Sequence, residues 1–273
     1  MGTSTKLNEY LKTGHKLVEG WLLPGAVKMV AAIGQVQIEQ NITGNIAEIG
    51  VYHGKLFVLL YLLSRDTERV VAVDWFSANV DNSDLSQSQL LSNLKRHADD
   101  LRLVIYEGDS TEIGADDLVR LASGPFRLFS VDGGHTCKIT AHDLATAEGA
   151  LCDGGVMVLD DCFNEMRPGV SMGVHHYFRH PRDITPFAIG ANKTFFCRPQ
   201  YAPCYIQSLR DLPVKSAERE FLGAPVLCCD FTPLPLTERI GRYRVWQLVK
   251  DFAPMRVARH VFKLVRAASV RVR

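Results

Sequence analysis

The chain has 273 residues, 47% of them hydrophobic and 22% charged, with a formal net charge of +1. That length allows one large core with additions, and near-neutrality excludes the broad basic field expected of a nucleic-acid-binding protein. Seven cysteines without a C-x-x-C pair argue against a structural zinc site. Their odd number, a polar N-terminus without a secretory core and no apolar run of about 20 residues predict a soluble cytoplasmic protein with reduced thiols.

Residues 1–44 read as a helical cover. Leu7, Tyr10 and Leu11, then Leu17, Val18, Trp21 and Leu22, recur at i, i+3, i+4. Pro24-Gly25 punctuates, and Ala26 to Ile38 continues as helix. From Asn45 the rhythm changes. Short apolar runs at 46–49, 70–73, 101–106, 126–131 and 156–159 alternate with helical stretches at 54–64, 85–99, 115–122 and 138–150. Continuous apolarity predicts strands buried on both faces, as in a parallel sheet. Repeated β-α-β units predict a doubly wound, Rossmann-like α/β core over 45–198.

Two further runs, 184–189 and 193–198, flank Gly190-Ala191-Asn192 and predict an antiparallel hairpin closing a seven-stranded sheet. Residues 199–273 form a C-terminal extension, of which 199–250 carry little pattern. Its end holds Arg256, Arg259, Lys263, Arg266, Arg271 and Arg273 and no acid, interleaved with Met255, Val261, Phe262 and Val265. This predicts a basic amphipathic helix, suited to an anionic surface on the inner face of a membrane, to a second subunit in a homodimer, or to solvent.

Four acids close four successive strands: Glu48, Asp74, Asp109 and Asp132. Ligands of open α/β sheets bind at that edge, and packing alone gives no reason for an acid at each. The first strand runs into Gly50-Val51-Tyr52-His53-Gly54. Its glycines permit a tight turn and close backbone approach. Tyr52 stands where the dinucleotide fingerprint G-x-G-x-x-G has a glycine, so the loop suits a ligand with an amino-acid tail better than a pyrophosphate. Asp74 can accept two ribose hydroxyls, Gly108-Asp109-Ser110 is placed to meet an adenine, and Trp75 could stack on it or pack in the core.

With these elements the stretch 45–198 resembles the class I S-adenosylmethionine-dependent methyltransferases. The resemblance implies that Glu48, Gly50, Tyr52, Gly54, Asp74, Trp75, Asp109, Ser110 and Asp132 surround the cofactor.

Asp132-Gly133-Gly134-His135 ends the fourth strand and Asp160-Asp161 the fifth. If these strands are neighbours, three carboxylates crowd together. They repel unless some are protonated or a hard divalent cation joins them, and oxygen donors select Mg²⁺ or Mn²⁺. A neutral His135 could take a proton from a hydroxyl held there. The pattern resembles the metal-dependent sugar O-methyltransferases of macrolide tailoring, of the mycinamicin and macrocin type. That resemblance implies Asp132, Asp160 and Asp161 as metal ligands and His135 as base. Those enzymes have Glu-Asp where this chain has Asp160-Asp161, whereas catechol O-methyltransferases have Asp-Asn. The acceptor implied is a sugar or glycosylated small molecule. A phenolic acceptor and a non-catalytic cofactor-binding subunit are the alternatives. Asp143 reads as a solvated acid or one behind the site. His175, His176 and His180 read as a pocket wall or plain surface.

Overall fold

The structure, a computed structural model, describes residues 3–76, 86–98 and 102–232. A nine-stranded sheet organises it. Five parallel strands come first: β1 (Asn45–Ile49), β2 (Val70–Asp74), β3 (Leu103–Glu107), β4 (Phe126–Val131) and β5 (Leu151–Asp160). They lie in the order β3-β2-β1-β4-β5, so the winding direction reverses between β1 and β4. Ligands of doubly wound sheets bind at that reversal. The expected hairpin follows as β6 (Thr185–Gly190) and β7 (Lys193–Cys197), with β7 antiparallel to β5.

The sheet does not stop at seven strands. A further hairpin, β8 (Lys215–Phe221) and β9 (Ala224–Asp230), adds β9 parallel to β6 and leaves β8 at the edge. Its turn rests on Leu222 and Gly223, both at positive φ (53° and 74°). Such a turn normally announces itself by Asn-Gly or Gly-Gly, and leucine there gives no signal. β8, KSAEREF, carries charges on most of its exposed positions, which blunts an open edge and also hides the strand in the sequence.

Successive residues of each central strand face opposite layers. Ile46, Val70, Ala72, Leu128 and Val158 join one core with α2 (Pro24–Glu39) and α3 (Phe57–Leu63). Ala47, Ile49, Val71, Val73, Phe129 and Val131 join the other, with α5 (Ala115–Ala122), α6 (Cys137–Ala150) and α7 (Pro168–Tyr177). Every residue of α3 is buried, as its unbroken apolar run demands.

The N-terminal cover departs from its periodicity. α1 ends at Lys12, and the chain is not helical from Leu17 to Leu23. Two backbone features explain this. Gly20 has φ +130°, and Leu23, before Pro24, is extended at φ −69°, ψ 142°, as a residue preceding proline prefers. Leu17 and Trp21, expected on a buried helix face, are 76% and 84% exposed. No helix among the described residues is long and apolar enough to cross a membrane. The expected basic helix over 252–273 lies outside the described residues.

Candidate functional site

Strand register assembles the site. Ile49 pairs with Val131, Val131 with Leu159, and Asp160 with Lys193. The residues after β1, β4 and β5 therefore meet at one edge. The backbone there is so close that a Cβ on Gly50 (φ +81°) would lie 1.8 Å from the Asp132 carbonyl oxygen, and only glycine fits. Above this edge opens a cavity of about 880 Å³. Its floor holds Glu48, Gly50, Asp132, His135, Asp160, Asp161 and Lys193; Trp21 and Leu23 form one wall, and Phe163 and Met166 another.

The turn after β1 is held by the acid that ends β2. Asp74 Oδ2 accepts from the backbone N–H of Val51 and of Tyr52, each at 2.7 Å. One oxygen of the expected ribose acceptor is thus engaged in shaping the loop. Burial raises the Asp74 carboxyl, against the lowering effect of these N–H donors. Tyr52, at φ +50°, stacks on His53 at 3.7 Å and tilts against Trp21 at 5.5 Å. Gly54, also at positive φ, packs on Leu90. Trp75 is half exposed rather than in the core.

Asp109 accepts from the Thr111 N–H and hydroxyl, both at 2.8 Å, and caps a short helical turn. These bonds hold its carboxyl below the usual range. Asp143 is fully buried, not solvated, and burial pushes it up to about 6. Ser110 and His142 act to lower the Asp143 carboxyl. His175, His176 and His180 are exposed, and α7 ends before His180, so His176 and His180 do not share one helix.

The second cluster is tighter. His135 Nε2 lies 3.1 Å from Asp161 Oδ2 and 3.9 Å from Asp132 Oδ1. Ligand-capable atoms of these three residues all lie within 4.8 Å of one another. Asp160 has other partners: its Oδ2 is 2.9 Å from Lys193 Nζ and its Oδ1 accepts from Asn192 Nδ2 at 3.0 Å. Asn192 also donates to Asp161 Oδ1 at 2.6 Å, and Asn164 donates to the same oxygen at 2.7 Å. Asp161 sits at φ +60°, and the single Asn192 Nδ2 bridges the two neighbouring carboxylates.

Burial and the Asp160 charge raise Asp132 despite Lys193, whereas Asn164, Asn192 and His135 outweigh burial and lower Asp161. Burial pulls the Lys193 ammonium down, but Asp132 and Asp160 outweigh it and hold it above the usual lysine value.

Lys193, Asn192 and Asn164 escaped the sequence reading. The available signal was a lone lysine opening the apolar run KTFFC just after a hairpin turn. In an antiparallel partner of the fifth strand, that position stands opposite the paired acids.

Glu48 is 2% exposed; its Oε1 accepts from Ser130 Oγ at 3.1 Å, and Oε2 is buried without a partner. Burial pushes its carboxyl up to about 8. A carboxyl raised by folding binds more protons folded than unfolded, so its contribution to stability falls as pH rises from the ordinary glutamate range to about 8. Glu48→Gln should remove that fall. In urea unfolding the variant should gain on the wild type between about pH 5 and about pH 8.5. A difference that stays constant across this range would mean that Glu48 is ionised throughout in the folded protein.

The donor sets fit two groups. An unpartnered buried carboxyl oxygen beside a glycine turn can receive the ammonium of an amino-acid tail. Asp132 Oδ1 and Asp161 Oδ2 can face a divalent cation held beside His135, whereas the two oxygens of Asp160 accept from Lys193 and Asn192.

Residues 47–162 match the model of a family described as "Methyltransferase domain". No curated protein matches the chain in sequence. Among solved structures, the O-methyltransferase NovP shares 14% identity at TM-score 0.57, over 72% of this chain and 99% of that one. CalS11, a TDP-rhamnose 3'-O-methyltransferase of calicheamicin biosynthesis, shares 16% at TM-score 0.48, over 72% and 93%. TomG from Streptomyces achromogenes, an O-methyltransferase of tomaymycin synthesis solved with S-adenosylmethionine, shares 16% at 0.49, over 71% and 89%. At such identity the likeness to NovP establishes a common fold.

Proposed function

We propose that this chain, whose residues 47–162 match a methyltransferase-domain model, moves the methyl of S-adenosylmethionine onto a hydroxyl oxygen of a sugar or glycosylated acceptor. The observation that carries the reading is one cavity with two kinds of floor. A glycine turn with an orphaned carboxyl lies on one side, and a histidine facing two carboxylates on the other.

The cofactor supplies an electrophilic methyl on a sulfonium. Gly50 and the Val51–Tyr52 turn, pinned by Asp74, seat its amino-acid and ribose parts, with Glu48 beneath and Asp109, Ser110 and Trp75 along the adenine side. His135 Nε2 accepts the acceptor's hydroxyl proton. Asp161 Oδ2, 3.1 Å from that nitrogen, positions the imidazole. The remaining requirement is alignment of oxygen, carbon and sulfur, which a preformed cleft provides. Asp132 and Asp161 would hold Mg²⁺ or Mn²⁺, which lowers the pKa of a bound hydroxyl.

A phenolic acceptor is the second reading, favoured by the aromatic rim of Trp21, Tyr52 and Phe163. A panel of glycosides and phenols separates the two.

Calorimetry with S-adenosylhomocysteine tests the cofactor half. One molecule should bind per chain, and Asp74→Ala should weaken binding by about 1.5–3 kcal/mol. Unchanged affinity in that variant would place the ribose elsewhere.

A further inference from the structure

The pair Asp160-Asp161 has two different duties, and Lys193 divides them. Antiparallel pairing of β5 with β7 sets Lys193 directly opposite Asp160. The lysine is 2% exposed, and its Nζ lies 2.9 Å from Asp160 Oδ2 and 3.8 Å from Asp132 Oδ2. One oxygen of Asp160 meets Lys193 and the other accepts from Asn192. The ligand-capable atoms that gather within 4.8 Å of one another belong to Asp132, Asp161 and His135 instead.

We propose that Lys193 is a built-in second cation of this site, which removes Asp160 from the ligand set and leaves one divalent ion to Asp132 and Asp161. The inference rests on the metal-assisted reading above. Charge supports it. With all three carboxylates ionised, as holding a cation requires, three carboxylates and one ammonium leave a net −2, which one divalent ion neutralises. Without the lysine the set is −3, and carboxylate number is the main lever on the affinity of a hard cation. A buried ammonium also cannot leave its acids without a large desolvation penalty. Lys193 acts through the carboxylates and touches no reacting atom, so it is a positioning residue.

The test is Mn²⁺ binding to the full chain, read by electron paramagnetic resonance of free Mn²⁺, with S-adenosylhomocysteine present and thermal unfolding of each variant recorded. Asp161→Asn and Asp132→Asn should weaken binding about tenfold or more, through loss of a ligand. Lys193→Met should tighten it about tenfold or more, because Asp160 is released.

The decisive variant is the double Lys193→Met, Asp160→Asn. It restores the net charge of −2 and keeps both proposed ligands, so its affinity should return to within about threefold of the wild type. The double Lys193→Met, Asp161→Asn should stay weak. If the Asp160 double is as weak as the Asp161 double, Asp160 is a ligand and the proposal is overturned. Should Lys193→Met fail to fold, the single variants decide: Asp160→Asn losing as much affinity as Asp161→Asn also overturns it. If neither the wild type nor Lys193→Met binds Mn²⁺, the metal-assisted reading itself fails and this inference with it. Methyl transfer would then still be open to assay.

Discussion

Replacing His135 by alanine is expected to lower kcat by about 10²–10⁴-fold, the usual range for loss of a general base. Affinity for S-adenosylhomocysteine should stay close to that of the wild type, because the imidazole faces the acid pair and not the glycine turn. His135→Gln, similar in size but unable to take a proton, should behave as the alanine variant does. A His135→Ala enzyme that keeps most of its rate would mean that the hydroxyl proton leaves by another route.

The largest expected effect on stability lies away from the site. Arg127 is fully buried in β4. Its Nε and one terminal nitrogen each donate to Glu68 at 2.8 Å; other bonds reach Gln37 Oε1 and the Leu63 carbonyl, both at 2.8 Å. Gln37 donates in return to the Arg127 carbonyl. One guanidinium thus ties α2, the end of α3 and the strand before the D-G-G-H turn.

Removing one partner of a buried pair costs about 3–5 kcal/mol, because the other charge stays behind in the interior. Arg127→Ala should destabilise by that amount in urea unfolding, although Arg65 still contacts Glu68 at 2.7 Å. Burial raises Glu68, but Arg127 outweighs it and holds the carboxyl below its usual value. The wild type should therefore lose this contribution as pH falls through the acid range, and Arg127→Ala should show less acid sensitivity. A loss below about 1 kcal/mol would mean that the pair is effectively solvated.

How much of this was legible before folding differs from residue to residue. Glu48, Asp74, Asp109 and Asp132 stood out because an acid ending an apolar run is conspicuous, and the expected doubly wound core followed from run lengths. His135 and Asp161 were legible as neighbours because the fourth and fifth strands of such a fold lie side by side. The partner of Asp160 was not, since Lys193 reaches it only through an antiparallel register that no local pattern encodes. Arg127 sits in the middle of an apolar strand, where a charge reads as noise until its partners from α2 and the α3–β2 connection are in place. Trp21 and Leu17 misled because helical spacing also occurs by chance in a segment that Gly20 and Pro24 keep extended. There the backbone rule outweighed the periodicity, and the apolar side chains line the cavity mouth or meet solvent.

The central claim is transfer of a methyl from sulfur to oxygen. It is tested most directly by incubating the full chain with S-adenosylmethionine labelled in its methyl group and a panel of glycosides and phenols, with Mg²⁺ or with a chelator. Mass spectrometry then locates the label. The account predicts equimolar S-adenosylhomocysteine and a product labelled on a former hydroxyl oxygen, formed with Mg²⁺ and lost with chelator. Label found on nitrogen or carbon of the product would contradict it, as would an undiminished rate in the presence of chelator.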